Sequence, residues 1–254
     1  MYLGSILVAF QFLTRLPLPA GGEITPARLV AASAWFPLVG CALGAGLAAL
    51  TYALGLVFPP SVTAALWLVI STLVTGGLHL DGLMDTADGL MGGREPSRIL
   101  EIMRDSRVGA MGGLAAVLTL LLKWTLLSAW LTPGPGTAQV AALILMPTLG
   151  RWTMVGAISF FPYARPEGGL GRPFADGIKR THLLTATVIA LVVAWLTQGP
   201  QGLIIMAAVG LAALAAARLI ASRIGGMTGD TYGTINELSE LTALLLMAAL
   251  MRFW

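Results

Sequence analysis

Residues 61–80 read SVTAALWLVISTLVTGGLHL, and residues 81–89 continue without a break as DGLMDTADG. About 20 mostly apolar residues are what an α-helix needs to cross the hydrocarbon core of a bilayer. The apolar residues are continuous and do not alternate, which argues for a membrane helix and against a β-barrel strand. The helix is expected to run on through the acidic stretch. There Asp81, Asp85 and Asp88 stand at i, i+4 and i+7, within about 60° of one another on one helix face.

Six further apolar runs flank this one, at roughly 30–57, 111–131, 137–160, 183–198, 201–221 and 238–254. The expected fold is therefore an all-α, polytopic integral membrane helical bundle of about seven transmembrane helices. The range is six to eight, since the count turns on the short run 183–198 and on the N-terminal segment; Pro37 kinks the first run or delays its start. The run from Leu3 to Leu13 is too short to span and ends at Arg15, Pro17 and Pro19. It lacks the basic start of a signal peptide and reads as an interfacial or re-entrant segment. Residues 1–254 are expected to form a single membrane-embedded catalytic domain.

Composition agrees. Hydrophobic residues make up 57% of the chain and charged residues 11%, against about 25% charged in soluble domains. A disordered chain, a soluble enzyme domain and a disulfide-stapled secreted module are excluded. The single cysteine, Cys41, has no internal partner. The net charge of +3 suits an anionic leaflet, and no lysine-rich tract points to nucleic acid.

The charges are unevenly placed. Loops at 58–60, 132–136 and 197–201 carry none, whereas 1–29, 81–110, 161–182 and 222–237 carry nearly all. The two sets alternate, so placing the charged set in the cytoplasm obeys the positive-inside rule throughout. Arg94, Arg98, Arg104, Arg107, Arg165, Arg172, Lys179 and Arg180 then share one side, with the N-terminus inside and the C-terminus outside. Nine of the 12 acidic residues fall in two short stretches, Asp81–Asp105 and Asp230–Glu240, a clustering that the positive-inside rule does not require.

Three carboxylates on one helix face repel and are poorly solvated at a membrane boundary. A divalent cation between them removes both problems. An all-oxygen set favours Mg²⁺, Mn²⁺ or Ca²⁺ over zinc, and Mg²⁺ commonly binds a few carboxylates together with substrate phosphates. His79 beside them reads as a general base, a partner of an aspartate, or a packed histidine. In the second stretch Ser97 is placed to cap a short helix, with Arg98, Glu101 and Asp105 on one face. Arg104, Ser106 and Arg107 suit phosphate oxygens; the other reading is an amphipathic interfacial helix with internal ion pairs.

The third stretch, Gly225–Gly233, is a Gly- and Thr-rich loop able to present N–H groups to an anion. Asp230 and Glu237, seven apart, share a helix face with Asn236 and Glu240 nearby, suiting a second metal ligand set or recognition of sugar hydroxyls. Within the spans, Lys123 and Arg151 are deep. A charge there costs at least about 2.5–3.5 kcal/mol, so both should face the interior and pair with acids or substrate. Pro147 and Gly150 are expected to break the helix before Arg151, and Arg218 to snorkel to the surface.

Together these blocks resemble the adenosylcobinamide-GDP ribazoletransferase family, also called cobalamin-5'-phosphate synthases. The matching blocks are Phe12-Leu13-Thr14-Arg15-Leu16-Pro17, Phe36-Pro37-Leu38-Val39-Gly40, Gly76 to Leu83 with Asp85 and Asp88-Gly89, Glu101 to Gly109, and Gly229-Asp230-Thr231 with Glu237-Leu238. They come in the family's order and cover essentially the whole chain.

The resemblance implies a multi-pass enzyme of the bacterial inner membrane, its active site facing the cytoplasm, in late cobalamin assembly. It implies joining of adenosylcobinamide-GDP to α-ribazole or α-ribazole 5'-phosphate, with release of GMP and Mg²⁺ as cofactor. On this reading Asp81, Asp85, Asp88 and Asp230 hold metal, and Arg104, Ser106, Arg107, Arg151, Lys123, Thr231 and Glu237 contact substrate. The general base comes from His79, Asp88 or Asp105, with Asp85 a further candidate. The expected partners are the two substrates and membrane lipids, without nucleic acid; self-association or association with other cobalamin-assembly enzymes is left open. Rival readings are another Mg²⁺-dependent intramembrane transferase acting on a pyrophosphate and a cation transporter. The sequence lacks the DGxxAR and paired NDxxD motifs of the first, and gathers its acids on one face where a transporter would spread them through several spans.

Overall fold

The computed structural model describes residues 2–19, 23–131 and 136–250. The helices in chain order are α1 (Tyr2–Leu13), α2 (Pro26–Ser33), α3 (Phe36–Gly55), α4 (Pro60–Thr75), α5 (Leu78–Gly92), α6 (Pro96–Ile102), α7 (Ala110–Trp130), α8 (Thr137–Phe160), α9 (Arg172–Gly177), α10 (Arg180–Ile224) and α11 (Gly229–Leu250). Among the described residues the only β pairing is an isolated bridge between Tyr163 and Met227. The first expected run begins late: α2 stops at Ser33, and α3 starts at Phe36 with Pro37 in its first turn, where a missing N–H costs nothing.

The protein is an all-α polytopic membrane protein. By length and composition α3, α7, α8 and α10 are able to cross a membrane, and α4 with α5, bent by 90°, makes a fifth candidate. The expected count of seven differs for two reasons. The runs 183–198 and 201–221 form α10, which counts once. The last run falls in α11, made too polar by Asn236, Glu237 and Glu240; its residues 251–254 lie outside the described residues, as do 132–135 of one uncharged loop.

α10 is nevertheless two arms. Gly199, at φ 56° and ψ −139°, is not helical, and Pro200 follows it. The Ala194 carbonyl faces Gly202, and Leu183 and Thr187 border the same groove as Gly210 and Leu214. The arms 180–198 and 200–224 therefore run antiparallel, and Ala186, Ala190, Ala213 and Ala217 along them are buried.

Polarity is arranged for lipid. α7 exposes Val117 and Leu118 at 53% and 56%, yet Lys123 on the same helix is 4% exposed. Apolar side chains face outward and the charge is held inside, the reverse of a soluble helix.

Three local expectations are corrected. The helix of 61–80 does not continue into the acidic stretch. Gly76 and Gly77 have φ of 65° and 69°, a left-handed pair that glycine adopts without Cβ strain, and their N–H groups close the end of α4 onto Leu73 and Thr72. Ser97 does not cap α6; Glu95 precedes it and Pro96 takes the first turn. Pro147 and Gly150 do not break α8, which runs through both. The lost bond is tolerated where α3 packs closely, Gly44 lying against the Leu143 carbonyl and Pro147.

The four charged segments meet at one end of the bundle. Arg15 donates its backbone N–H to Val74 at 2.7 Å, and Val30 packs on Gly177. Arg104 pairs with Glu167. The bridge at Met227 joins the α8–α9 loop to the α10–α11 loop through bonds of 2.8 Å to Pro162 and Ala164.

Candidate active site

After the 90° bend, α5 lies against α11 and α7. Its register on α11 is set at Gly82, whose missing side chain lets the Asp230 carbonyl approach; a Cβ there would come within 2.5 Å of that oxygen. One turn on, Thr234 Oγ1 lies 3.0 Å from the Gly82 carbonyl and 2.8 Å from Thr86 Oγ1. This contact brings Asp81 and Asp85 beside Asp230, and Asp85 feels the charges of Asp81, Asp230 and Asp88 with Arg165 opposing them.

A cavity of about 340 Å³ opens here, bordered by His79, Asp81, Tyr163, Arg165, Asp230 and Tyr232. Phe12, Phe36 and Phe174 form one wall, with ring centroids 5.0–5.9 Å apart. Arg165 donates to Asp230 Oδ2 at 2.8 Å. Its buried Nε and the Tyr232 hydroxyl have no protein partner among the described residues, while the Tyr163 oxygen lies beside the backbone N–H groups of Gly171 and Gly229. Burial pushes the Tyr163 phenol up from its ordinary range, so it presents an O–H.

A second cleft of about 460 Å³ lies at the far end of α5, bordered by Asp88, Asp105, Arg107 and the start of α7. Both oxygens of Asp88 accept backbone N–H groups, from Gly109 and Gly112, each at 2.8 Å. Asp105 accepts from the guanidinium and backbone N–H of Arg107 at 2.6–3.1 Å, which holds its carboxyl at about 2. Ser106 is exposed nearby.

Lys123 and Arg151 pair with acids. Lys123 Nζ donates to Glu237 at 2.8 Å and to Glu240 at 2.7 Å. Arg151 pairs with Glu240 and reaches Nδ1 of His79 at 3.3 Å. All five are under 10% exposed. Two cations balance two carboxylates. A polar cavity of about 30 Å³ adjoins them at the α4–α5 bend.

The expected residues thus fall into three groups: His79, Asp81 and Asp230 at the first cavity with Asp85 behind them; Asp88, Asp105 and Arg107 at the second; Lys123, Arg151 and Glu237 in the buried network. Thr231 belongs to none. It is fully buried and exchanges hydrogen bonds with Thr228 at the start of α11. Among the described residues no three His, Cys, Asp or Glu side chains stand ready at metal-ligand spacing. Sequence reading passed over Arg165, Tyr163 and Tyr232 as site residues. Their one signal was position in the charged loops beside the acidic stretches.

The family model for cobalamin-5-phosphate synthase matches residues 5–248. An adenosylcobinamide-GDP ribazoletransferase of Desulfitobacterium hafniense is 41% identical over 94% of each chain. Relatives of the same name from Syntrophobacter fumaroxidans and Roseiflexus sp. are 44% and 40% identical, covering 95% and 96% of this chain and 96% and 90% of their own. No solved structure matches. A match along nearly the whole chain, with the blocks that carry it gathered at one end of the bundle, places this protein in the cobalamin-5-phosphate synthase family.

Proposed function

We propose that the protein joins adenosylcobinamide-GDP to α-ribazole or its 5'-phosphate at the Asp81–Asp230 cavity, from the cytoplasmic side of a bacterial inner membrane. A ribose hydroxyl of the acceptor attacks the phosphorus nearer the cobinamide. The bond from that phosphorus to the bridging oxygen breaks, and GMP leaves with the oxygen. Such transfers need charge neutralisation and positioning more than covalent help from the protein.

One observation carries the reading. Asp81 and Asp230 border the cavity with Asp85 behind them, Arg165 pairs with Asp230, and the cavity edge carries the unpartnered Nε of Arg165 and the Tyr232 hydroxyl. The carboxylates outnumber the guanidinium, an excess that a divalent cation would complement. Mg²⁺ fits this hard-oxygen set, since it needs only one or two carboxylates when phosphates and water complete the shell. Bound there by Asp81, Asp85 and Asp230, Mg²⁺ would supply charge neutralisation for the pyrophosphate. Arg165 Nε and the tyrosine hydroxyls donate to phosphate oxygens. Arg107, which lines the second cleft, suits another phosphate-bearing part of the substrates, with Ser106 next to it and Arg104, paired with Glu167, three residues before it.

Asp88 and Asp105 are engaged by N–H groups and by Arg107, so proton acceptance from the attacking hydroxyl falls to the open carboxylate oxygens of Asp81 and Asp85. The test is GMP release by purified protein in lipid vesicles given adenosylcobinamide-GDP, α-ribazole and Mg²⁺. Release that needs all three is expected; no release with either acceptor form overturns the reading.

A further inference from the structure

His79 is 3% exposed and borders both the large cavity and the small polar one. Its Nδ1 lies 3.3 Å from a terminal nitrogen of Arg151. A guanidinium has donors only, and a neutral imidazole has one donor and one acceptor. The contact is therefore a hydrogen bond from Arg151 to the Nδ1 lone pair, and the ring proton sits on Nε2. The opposite tautomer, and the imidazolium, would set N–H against N–H. Arg151 is not free to turn away, because Glu240 holds it and Lys123 in turn holds Glu240 and Glu237. Asn236 Nδ2 adds a bond to Glu240 at 3.2 Å. Nε2 is buried and has no protein partner among the described residues.

We propose that the Lys123–Glu240–Arg151 chain fixes His79 as the Nε2–H tautomer, so that His79 donates a hydrogen bond to a phosphoryl oxygen of the bound pyrophosphate and does not serve as the general base. The identity of the acceptor oxygen rests on the reading of the cavity given above. In that role His79 is a catalytic donor and Arg151 a positioning residue. The buried ion network keeps one imidazole in one protonation pattern.

Side-chain amides separate the two ring nitrogens. A glutamine places its NH₂ near the position of Nε2, an asparagine near that of Nδ1. The experiment measures kcat and KM for GMP release by Mg²⁺-loaded full-length protein in vesicles, for H79A, H79N, H79Q, R151K and H79A/R151K, with thermal melting confirming that each is folded. Loss of one such donor lowers kcat about 100-fold, so H79A and H79N should fall by that amount and H79Q stay within about tenfold of wild type. R151K should lower kcat in the wild-type background but add little to H79A, because it acts through His79. Folded H79Q as slow as H79A, H79N the better rescue, or additive R151K and H79A effects would each overturn the proposal. If wild-type protein released no GMP, the reading of the reaction would fail instead.

Discussion

The backbone N–H of Gly112 donates to Oδ1 of Asp88 at 2.8 Å, and the other oxygen of Asp88 takes the N–H of Gly109 at the same distance. The first N–H groups of a helix have no partner within it, and Asp88, 21 residues upstream of Gly109, supplies one for the start of α7. Its charge also complements the positive end of that helix. Asp88 shares the acidic face with Asp81 and Asp85, yet it is spent on holding the loop at 103–109.

Asp88→Asn should therefore act on structure before metal. An amide turns one acceptor into a donor facing a backbone N–H, and stability should drop by about 1–2 kcal/mol. Denaturation in detergent measures this. The Mg²⁺ concentration for half-maximal GMP release should move much less than in Asp85→Asn. A larger shift for Asp88→Asn would make it a metal ligand that releases α7 on binding.

Asp85→Asn removes one of the three charges opposed by Arg165. The half-saturating Mg²⁺ for GMP release should rise at least ~10-fold, with a smaller change in KM for α-ribazole. Full Mg²⁺-dependent turnover by this variant would end the metal role, and chelation by EDTA should abolish turnover in wild type.

Lys123 is enclosed by two carboxylates at 2.7 and 2.8 Å. Lys123→Met leaves Glu237 and Glu240 facing each other with Arg151 alone. Removing one partner from a buried ionic cluster costs about 3–5 kcal/mol, so the variant should melt well below wild type in the same detergent. Adding Glu237→Gln should recover part of the loss, a sign that the pair is coupled.

Some of this was written locally and some was not. The shared face of Asp81, Asp85 and Asp88 follows from spacing alone, since all three lie within α5. That Lys123 and Arg151 need partners follows from their depth in apolar runs, but Glu237 and Glu240 are more than 85 residues away from both. The break at Gly76–Gly77 was missed because hydropathy reads a glycine pair in an apolar run as helix, while positive φ at both positions ends it. The partners of Asp88 are likewise set by packing, that of α5 on α7. Arg165 gave no sign beyond its place in a charged loop, because the bridge at Met227, distant in sequence, brings that loop over Asp230.

Gly82 is where α5 and α11 touch through backbone, and the obstacle to a side chain is the Asp230 carbonyl, not a flexible tip. Gly82→Ala should push the helices apart and separate Asp81 and Asp85 from Asp230. Overpacking of this kind costs about 1–3 kcal/mol, and a displacement near 1 Å at a catalytic constellation lowers turnover by about 100-fold. Gly113→Ala is the control. A Cβ there meets only Val108 at 4.0 Å, so kcat and melting temperature should both stay near wild type. Equal effects of the two substitutions would mean that helix propensity, not the contact with Asp230, governs.

Asp105 bears on the proton that leaves the attacking hydroxyl. Its hydrogen bonds from Arg107 hold the carboxyl at about 2, below the ordinary value of about 3.9. A depressed carboxylate favours the folded contact fully above its unfolded value and loses it as pH falls through the folded one. The Asp105–Arg107 pair is thus intact at pH 5 and above and fails only between about 4 and 2. At pH 5 and above, Asp105 is ionised and a weak proton acceptor. Any acidic limb of the pH–rate profile with a midpoint above pH 4 must then belong to another group, with Asp85 in the acidic cluster the first candidate. Asp105→Asn should leave that midpoint where it is, whatever it does to the rate through the second cleft. Asp85→Asn should displace the midpoint or remove the limb. Rates of GMP release measured from pH 4.5 to 9, roughly every half unit, decide it: a midpoint that moves in Asp105→Asn and stays in Asp85→Asn would return the base to Asp105.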